Sequence, residues 1–203
     1  ERALANGISF IEKNLPSLSD LVEAKRSFAS YPMTGVLHAS CLVIYRRTGS
    51  LASISKDALS ILKATKNSCH PYNQKEENRF DEELNFHLFK GASDVEAFAQ
   101  NYLEPLLVDC HEDSNEVARF VDKPEFASLF PARAFKWLEL YPMMPKEALK
   151  KLFSICALNM DRGDLIRLIR CRCQEFEGTS WDESDERLKF RRTFWYIRYF
   201  FFV

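Results

Sequence analysis

Apolar residues recur at intervals of three and four along most of the chain, which is the spacing of one face of an α-helix. Over residues 3–15 the apolar positions include Ile8 and Ile11 at this spacing, and Pro16 follows directly. Proline cannot continue a helix, so we expect the first helix to end there. Ser17 can begin the next helix, because a serine hydroxyl at an N-cap accepts a hydrogen bond from a free amide.

The second helix is predicted to carry its apolar stripe as far as Phe28, before Tyr31-Pro32 closes it. Residues 35–46 contain the run Cys-Leu-Val-Ile-Tyr, which would also suit a buried strand. A strand needs a neighbour to pair with, and no second segment of similar quality is present. We therefore predict a buried helix over residues 35–46.

Capping residues mark the boundaries in the middle of the chain. Ser55 is predicted to be an N-cap, and residues 67–78 are predicted to form a loop. The following helix is predicted to end at Gly91 in the left-handed conformation that glycine tolerates best. Ser93 and Glu96 have the spacing of a capping box, which predicts a new helix behind them.

The second half of the chain repeats this pattern in shorter units. Pro131 is predicted to break one helix and Pro145 to begin another, and residues 161–164 are predicted to form a turn. Connections of about three to six residues place neighbouring helices antiparallel. The predicted fold is therefore all-α, an α-solenoid of antiparallel helical hairpins, with an irregular helical bundle as the alternative.

We predict one helical-repeat segment over residues 1–203, belonging to a longer protein, with a possible subdivision into 1–73 and 74–203. The chain begins at Glu1 inside a helical pattern and ends with Phe200-Phe201-Phe202-Val203, without a capping residue or polar residues after the apolar run. Natural chain ends are usually polar and frayed, which favours a segment over a complete chain.

Composition excludes several functional classes. The 203 residues carry a formal net charge of −1, so no global field attracts nucleic acid or an anionic membrane. No signal peptide and no apolar stretch of about 18 residues is present, so no membrane contact is predicted. The six cysteines lie mostly in helical patterns, which favours reduced thiols in a cytoplasmic protein. No glycine-rich phosphate motif occurs, and no cofactor is predicted.

Two arrangements could carry chemistry. The pairs Cys69-His70 and Cys110-His111 could supply four zinc ligands, but adjacent helical side chains diverge by about 100°, so no metal site is predicted. Asp81 and Glu83 could serve a metal-dependent nuclease, yet acidic residues in a first helical turn also favour the helix dipole. We predict no catalytic residues and no enzyme activity, with the nuclease as the least favoured alternative.

Charge is distributed unevenly. Residues 74–126 hold 14 acidic and five basic residues, a net charge of −9, whereas residues 162–203 hold seven acidic and nine basic residues, a net charge of +2. The basic residues of the last helices alternate with aromatic ones. The predicted partner-binding residues are Arg167, Arg170, Arg191, Arg192, Trp195 and Tyr199.

Two interpretations of this region remain. A groove for a nucleic-acid backbone would combine arginines with stacking aromatics. Alternatively, the aromatics pack in the core and the arginines pair with nearby acids. The run Phe200 to Phe202 either anchors a partner or, as is more frequent, fills the seam between stacked helices. Because acidic residues dilute the basic patch, we favour protein recognition, with residues 163–177 and 183–203 as the contact surface.

Four segments resemble a known kind of region: Phe126–Ala134, Trp137–Leu140, Pro145–Leu149 and Arg162–Leu165. They resemble the divergent helical-repeat arrays that follow the ATPase module of large bacterial NACHT-type (STAND) defence proteins. The family's nucleotide-binding residues lie in another module and match nothing here. The resemblance implies that this segment senses a ligand, such as a phage protein, or relays that event to an ATPase. The expected partner is therefore another protein or an adjacent domain of the same chain.

Overall fold

A computed structural model describes residues 7–66, 74–108, 111, 113–177 and 185–203. The described residues form α-helices and short helical turns, and no strand occurs among them, which confirms the all-α prediction. The α-helices are α1 (Ile8–Lys13), α2 (Leu18–Arg26), α3 (Pro32–Thr48), α4 (Lys56–Thr65), α5 (Gln74–Leu88), α6 (Ala92–Phe98), α7 (Ala118–Val121), α8 (Leu129–Leu140), α9 (Lys146–Asn159), α10 (Arg162–Gln174) and α11 (Glu186–Phe202).

The chain divides into two compact units, Glu1–Pro105 and Leu106–Val203. Helices α1 to α6 belong to the first unit, and α7 to α11 belong to the second. The subdivision predicted at residue 73 falls between α4 and α5, and these two helices pack against each other within the first unit.

Helix α3 confirms the helical prediction for residues 35–46. It buries Leu37, Cys41 and Ile44, which recur at intervals of three and four. Ser40, beside Cys41, is buried as well, and the other residues between them are partly or fully exposed, so one face enters the core. Gly49 ends the helix with a φ of +75°, a left-handed conformation that lacks a steric penalty only for glycine.

Two predicted N-caps are present. The Ser17 hydroxyl accepts a hydrogen bond from the Asp20 amide, and the Asp20 carboxylate accepts one from the Ser17 amide. Ser55 caps α4 by accepting from the Ala58 amide. Both caps depend on residues within three positions of one another, which is why the sequence alone could predict them.

Two predictions around residue 91 were wrong. Gly91 has a φ of −170°, which is extended backbone, and it precedes α6 as its N-cap residue. Ser93 and Glu96 lie inside α6 and form no capping box. The Asp94 carboxylate instead accepts a hydrogen bond from the backbone amide of Lys90 at 2.9 Å.

Pro131 does not break a helix, contrary to prediction. It is the third residue of α8, where the backbone N–H has no partner within the helix. The missing proton of proline therefore costs no hydrogen bond at this position. Pro145 does precede a helix, as predicted, because it is the N-cap residue of α9.

Each unit has its own aromatic core. In the first, Tyr102 lies in a π-helical turn (Ala99–Leu103) and its hydroxyl donates to the carbonyl of Ala64 at 3.1 Å. In the second, edge-to-face contacts link Phe130 to Trp137 and Phe153 to Trp195, both with ring centroids 5.7 Å apart. Such ring pairs contribute about 1 kcal/mol beyond the burial of their area.

Phe28 is not part of a buried stripe, because α2 ends at Arg26. The amide of Ala29 donates to the carbonyl of Ala24 at 2.8 Å, and this six-residue closure is a Schellman motif. Phe28 occupies the position usually taken by glycine, with a φ of +54°. Its side chain is 79% exposed, so the strained backbone is not offset by burial of the ring.

We expect Phe28→Gly to be more stable than Phe28→Ala by about 1 kcal/mol. Both substitutions remove the exposed ring, but only glycine also removes the steric cost of positive φ. The measurement is equilibrium unfolding in urea for the wild type and both variants. Equal stability of the two variants would show that residue 28 is not left-handed in solution.

Candidate partner-binding surface on the last two helices

The predicted partner-binding residues lie on α10 and α11, which pack together as a helical hairpin. Arg167, Arg170, Arg192 and Tyr199 are on exposed faces of these helices. Arg191 and Trp195 are buried, so helical geometry has separated the predicted set into an outer and an inner group.

Arg191 is 1% exposed and contacts the turn between α8 and α9. Its Nε donates to the carbonyl of Pro142 at 3.2 Å, and its Nη2 donates to the carbonyl of Met143 at 3.1 Å. The same Nη2 also donates to the carbonyl of Met144. The planar guanidinium thus places several donors against consecutive backbone carbonyls.

Arg172 is 5% exposed and supports the other side of the same turn. Its Nη2 donates to the carbonyls of Leu138 and Glu139 at 2.7 and 2.6 Å. Its Nη1 donates to both carboxylate oxygens of Glu175 at 2.5 and 2.7 Å. Carbonyls in the last turn of a helix lack partners within it, and a cation there also complements the helix dipole.

We call residues 138–144 the α8–α9 turn. Arg172 from α10 and Arg191 from α11 both bind it, so the second hairpin is attached to the first through buried, charge-assisted hydrogen bonds. The partner-binding role predicted for Arg191 is therefore corrected, because its donors are directed inward. Trp195 is corrected for the same reason, since it packs between Phe153 and Phe194 in the core.

The remaining predicted residues form an exposed basic and aromatic surface. The Arg167 Nη2 lies 3.1 Å from the Asp164 carboxylate, an exposed pair one helical turn apart. The Arg192 guanidinium lies over the ring of Tyr196, 5.6 Å from its centroid. Exposed contacts of these kinds contribute up to about 1 kcal/mol, so the side chains remain available to a partner.

The largest exposed apolar feature of α11 lies on a different face. Ile197, Phe200 and Phe201 recur at intervals of three and four, and the two phenylalanines are 82% and 74% exposed. We call these three residues the α11 apolar face. Phe202 is directed inward, with its ring 5.8 Å from that of Phe153. The run of phenylalanines in the sequence suggested an anchor for a partner, but only the helical geometry shows which of the rings are exposed to solvent.

After Glu186, its first residue, every charged residue of α11 is basic. Residues 187–203 contain five basic residues and no acidic residue. Arg198 is partly withdrawn from the surface, because its guanidinium covers the ring of Phe194 at 3.2 Å from the centroid. The acids nearest in sequence, Asp185 and Glu186, lie at the N-terminal end of the helix. The α11 apolar face therefore belongs to a helix with a positive field.

The carboxylates considered for a nuclease are not brought together. Asp81 pairs with Lys66. Glu83 accepts hydrogen bonds from the Ser50 hydroxyl at 2.6 Å and the Leu51 amide at 3.1 Å, and it lies 2.8 Å from His87 Nε2. These bonds, that of Ser50 first, hold the pKa of Glu83 below its usual range. Glu83 thereby fixes the loop between α3 and α4.

Within the described part of the chain, no group of three or more histidine, cysteine or acidic side chains is arranged to hold a metal ion. Cys69, His70 and Cys110 lie outside the described residues. Cys41 and Cys156 are buried, and burial raises the pKa of each thiol to about 12. These two thiols therefore stay protonated and unreactive at neutral pH.

Comparison of the chain with protein-family models, with curated proteins and with solved structures finds no match. Among the helices that the structure describes, none combines the length and hydropathy needed to cross a bilayer.

We expect Arg191→Ala to lower the free energy of unfolding by about 3 kcal/mol, because it leaves buried carbonyls of the α8–α9 turn without donors. The matched control is Arg192→Ala, which removes an exposed guanidinium from the adjacent position and should change stability by about 0.5 kcal/mol or less. Urea unfolding of both variants measures the difference. Equal losses would contradict the inward role of Arg191.

We expect Arg172→Ala to be similarly destabilising, by about 3 kcal/mol, since it also leaves the Glu175 carboxylate without its bidentate partner. Arg170→Ala serves as the control because Arg170 is exposed on the same helix. A double variant, Arg172→Ala with Arg191→Ala, should lose less than the sum of the single losses, because both side chains support one turn. Full additivity would mean that the two arginines act independently.

We expect the stabilising effect of Glu83 to depend on pH. Its pKa is lowered in the folded state, so the ionised form favours folding above the unfolded pKa of about 4.3. Glu83→Gln should cost about 1 kcal/mol at pH 7, and the difference from wild type should disappear as the pH falls through the folded-state pKa. The exposed neighbour Glu82 provides the control variant Glu82→Gln. A pH-independent loss would contradict the charged role of Glu83.

Proposed function

We propose that this chain is a non-catalytic helical scaffold segment that recognises a protein partner through the α11 apolar face. The observation that carries the proposal is the pair Phe200 and Phe201, exposed side by side with Ile197 on one face of a helix whose other face is in the core. The occupant that we propose is an amphipathic helix with acidic residues beside its apolar stripe.

The apolar part of the argument concerns the cost of exposure. Single exposed apolar residues are ordinary on protein surfaces, but contiguous ones indicate an interaction site. Complete burial of a phenylalanine side chain stabilises a complex by roughly 1.5–3 kcal/mol before the costs of association. Two such rings could act as anchors, and aromatic anchors dominate the energetics of many interfaces.

The spacing favours a helical occupant. Ile197, Phe200 and Phe201 form a short ridge at intervals of three and four along α11. Ridges of this kind pack into the grooves between side chains of another helix. An amphipathic helix presents the matching stripe and is a recurrent ligand of such surfaces.

Charge favours an acidic occupant. Residues 187–203 carry five positive charges and no negative one, and Lys189 and Arg192 are exposed on this helix. Acidic residues on the partner would increase the association rate and fix the orientation of the two helices. A basic helix of equal hydrophobicity would be repelled.

The arrangement of the second unit supports the solenoid part of the proposal. Helices α8 and α9 pack as one hairpin, α10 and α11 pack as the next, and α9 contacts α10. In a helical-repeat array each hairpin covers its neighbour, so an exposed apolar face such as that of α11 is suited to receive another helix. By the resemblance to NACHT-type defence proteins, that helix would belong to a sensed ligand or to an adjoining domain, in the cytoplasm.

Nucleic-acid binding is the second candidate, and it has less support. Arg172 and Arg191 are buried against the α8–α9 turn, so they are not available to phosphates. Arg167, Arg170 and Arg192 remain exposed, but Arg167 pairs with Asp164. The catalytic alternative has less support again, since Asp81 and Glu83 contact separate partners.

The test uses three probes: a synthetic amphipathic helix with glutamate flanks, the same helix with lysine flanks, and a single-stranded oligonucleotide. We expect the acidic helix to bind at least about tenfold more tightly than the basic helix, with shifts in the NMR signals of α11. Phe200→Ser combined with Phe201→Ser should abolish binding without unfolding the chain, because both rings are exposed.

Leu158→Ser is the matched control, since Leu158 is an exposed apolar residue at the end of α9. This variant should retain most of the affinity for the acidic helix. Failure of both helices to bind would overturn the proposal. Tight binding of the oligonucleotide with a steep dependence on salt, unaffected by the phenylalanine substitutions, would establish the second candidate instead.

A further inference from the structure

The first unit contains a groove of about 480 Å³, within the range of pockets that bind small molecules. It lies where the turn between α1 and α2 meets the first turns of α4. Leu15 and Ile61 give it an apolar wall, and Glu12 and Asp57 give it two carboxylates. All residues that line it belong to the first unit, so this groove is independent of the α11 apolar face.

The charge of the groove is negative. No lysine or arginine is among the described residues that line it. The N-termini of α2 and α4 are adjacent, and each supplies a partial charge of about +0.5, which together offset about one of the two carboxylates. Glu12 uses one oxygen to accept the amide of Ser55 at 2.7 Å, so part of its hydrogen-bonding capacity is already used. A net negative charge of about one remains.

The neutral polar side chains of the groove include acceptors for a ligand. The Ser60 hydroxyl donates to the carbonyl of Lys56 at 2.9 Å, and the Ser17 hydroxyl donates to the Asp20 carboxylate at 2.7 Å. The Asn101 side chain donates one amide proton to the carbonyl of Ala97 at 2.8 Å, which leaves its second amide proton as a donor and its carbonyl oxygen as an acceptor. A hydroxyl has one proton to donate, so the Ser60 oxygen can offer a ligand only lone pairs, whereas the Ser17 oxygen already accepts the Asp20 amide at 3.1 Å and lies 2.8 Å from the Ser19 hydroxyl oxygen.

A groove with negative charge, acceptor groups and an apolar wall is complementary to a cationic donor on an aliphatic chain. We propose that it binds a primary ammonium or guanidinium group, with Asp57 and Glu12 facing the charge and with Leu15 and Ile61 contacting the methylene groups. The ligand is either a free alkyl diamine or a lysine or arginine side chain, since these present the same chemistry.

The test is an NMR titration of the whole chain with 1,5-diaminopentane, with N-acetyl-lysine methylamide and with 1,5-pentanediol as a neutral control. We expect the two ammonium ligands to shift signals around Asp57 and Ile61, and the diol to leave them unchanged. Asp57→Asn and Glu12→Gln should each weaken ammonium binding at least about tenfold. Glu23→Gln, an exposed carboxylate outside the groove, is the matched control and should leave the affinity unchanged.

The amide variants keep the size of each side chain, and glutamine can still accept the Ser55 amide, so the fold should persist. Circular dichroism of each variant checks this directly. Tighter binding of the lysine derivative would identify a side chain of a partner as the ligand source, and tighter binding of the diamine would identify a free amine. Binding of the diol as strongly as the diamine, or no binding of either ammonium ligand at about 10 mM, would overturn the proposal.

Discussion

The backbone carbonyls of the α8–α9 turn must be satisfied, and the second unit is organised around that requirement. A helix that ends leaves its last carbonyls without partners, and burial makes such a deficit costly. Here the donors come from distant positions: Arg172 binds Leu138 and Glu139, and Arg191 binds Pro142 and Met143. The two hairpins of the unit are joined by these bonds, and Phe153, Phe194 and Trp195 fill the space beside them.

This requirement divides the basic residues of α10 and α11 into two groups. The inner group is committed to the turn, and the outer group, with Arg192 as its clearest member, is exposed. Once the inner arginines are assigned to the fold, the basic character of the region no longer argues for a phosphate groove. The exposed phenylalanines of α11 then become the feature that requires a partner, and the remaining positive charge selects an acidic one.

Local signals predicted much of the fold. The helical spacing of apolar residues gave the helices, including α3, and the caps at Ser17 and Ser55 followed from neighbours three residues away. Gly91, Pro131 and Phe28 were predicted incorrectly because each prediction depends on the residue at which a helix begins or ends, and tertiary packing decides that.

The inner role of Arg191 was less accessible to prediction. Its spacing with Phe194 and Trp195 places it on the buried face, but its carbonyl partners lie more than 40 positions earlier in the chain.

The most direct test of the attachment through the α8–α9 turn is NMR of the arginine side chains in the ¹⁵N-labelled chain. We expect the Nη protons of Arg172 and Arg191 to be separately resolved and slow to exchange, and those of Arg192 to exchange rapidly with solvent. Rapid exchange at all three residues would contradict the attachment of the two hairpins through the α8–α9 turn.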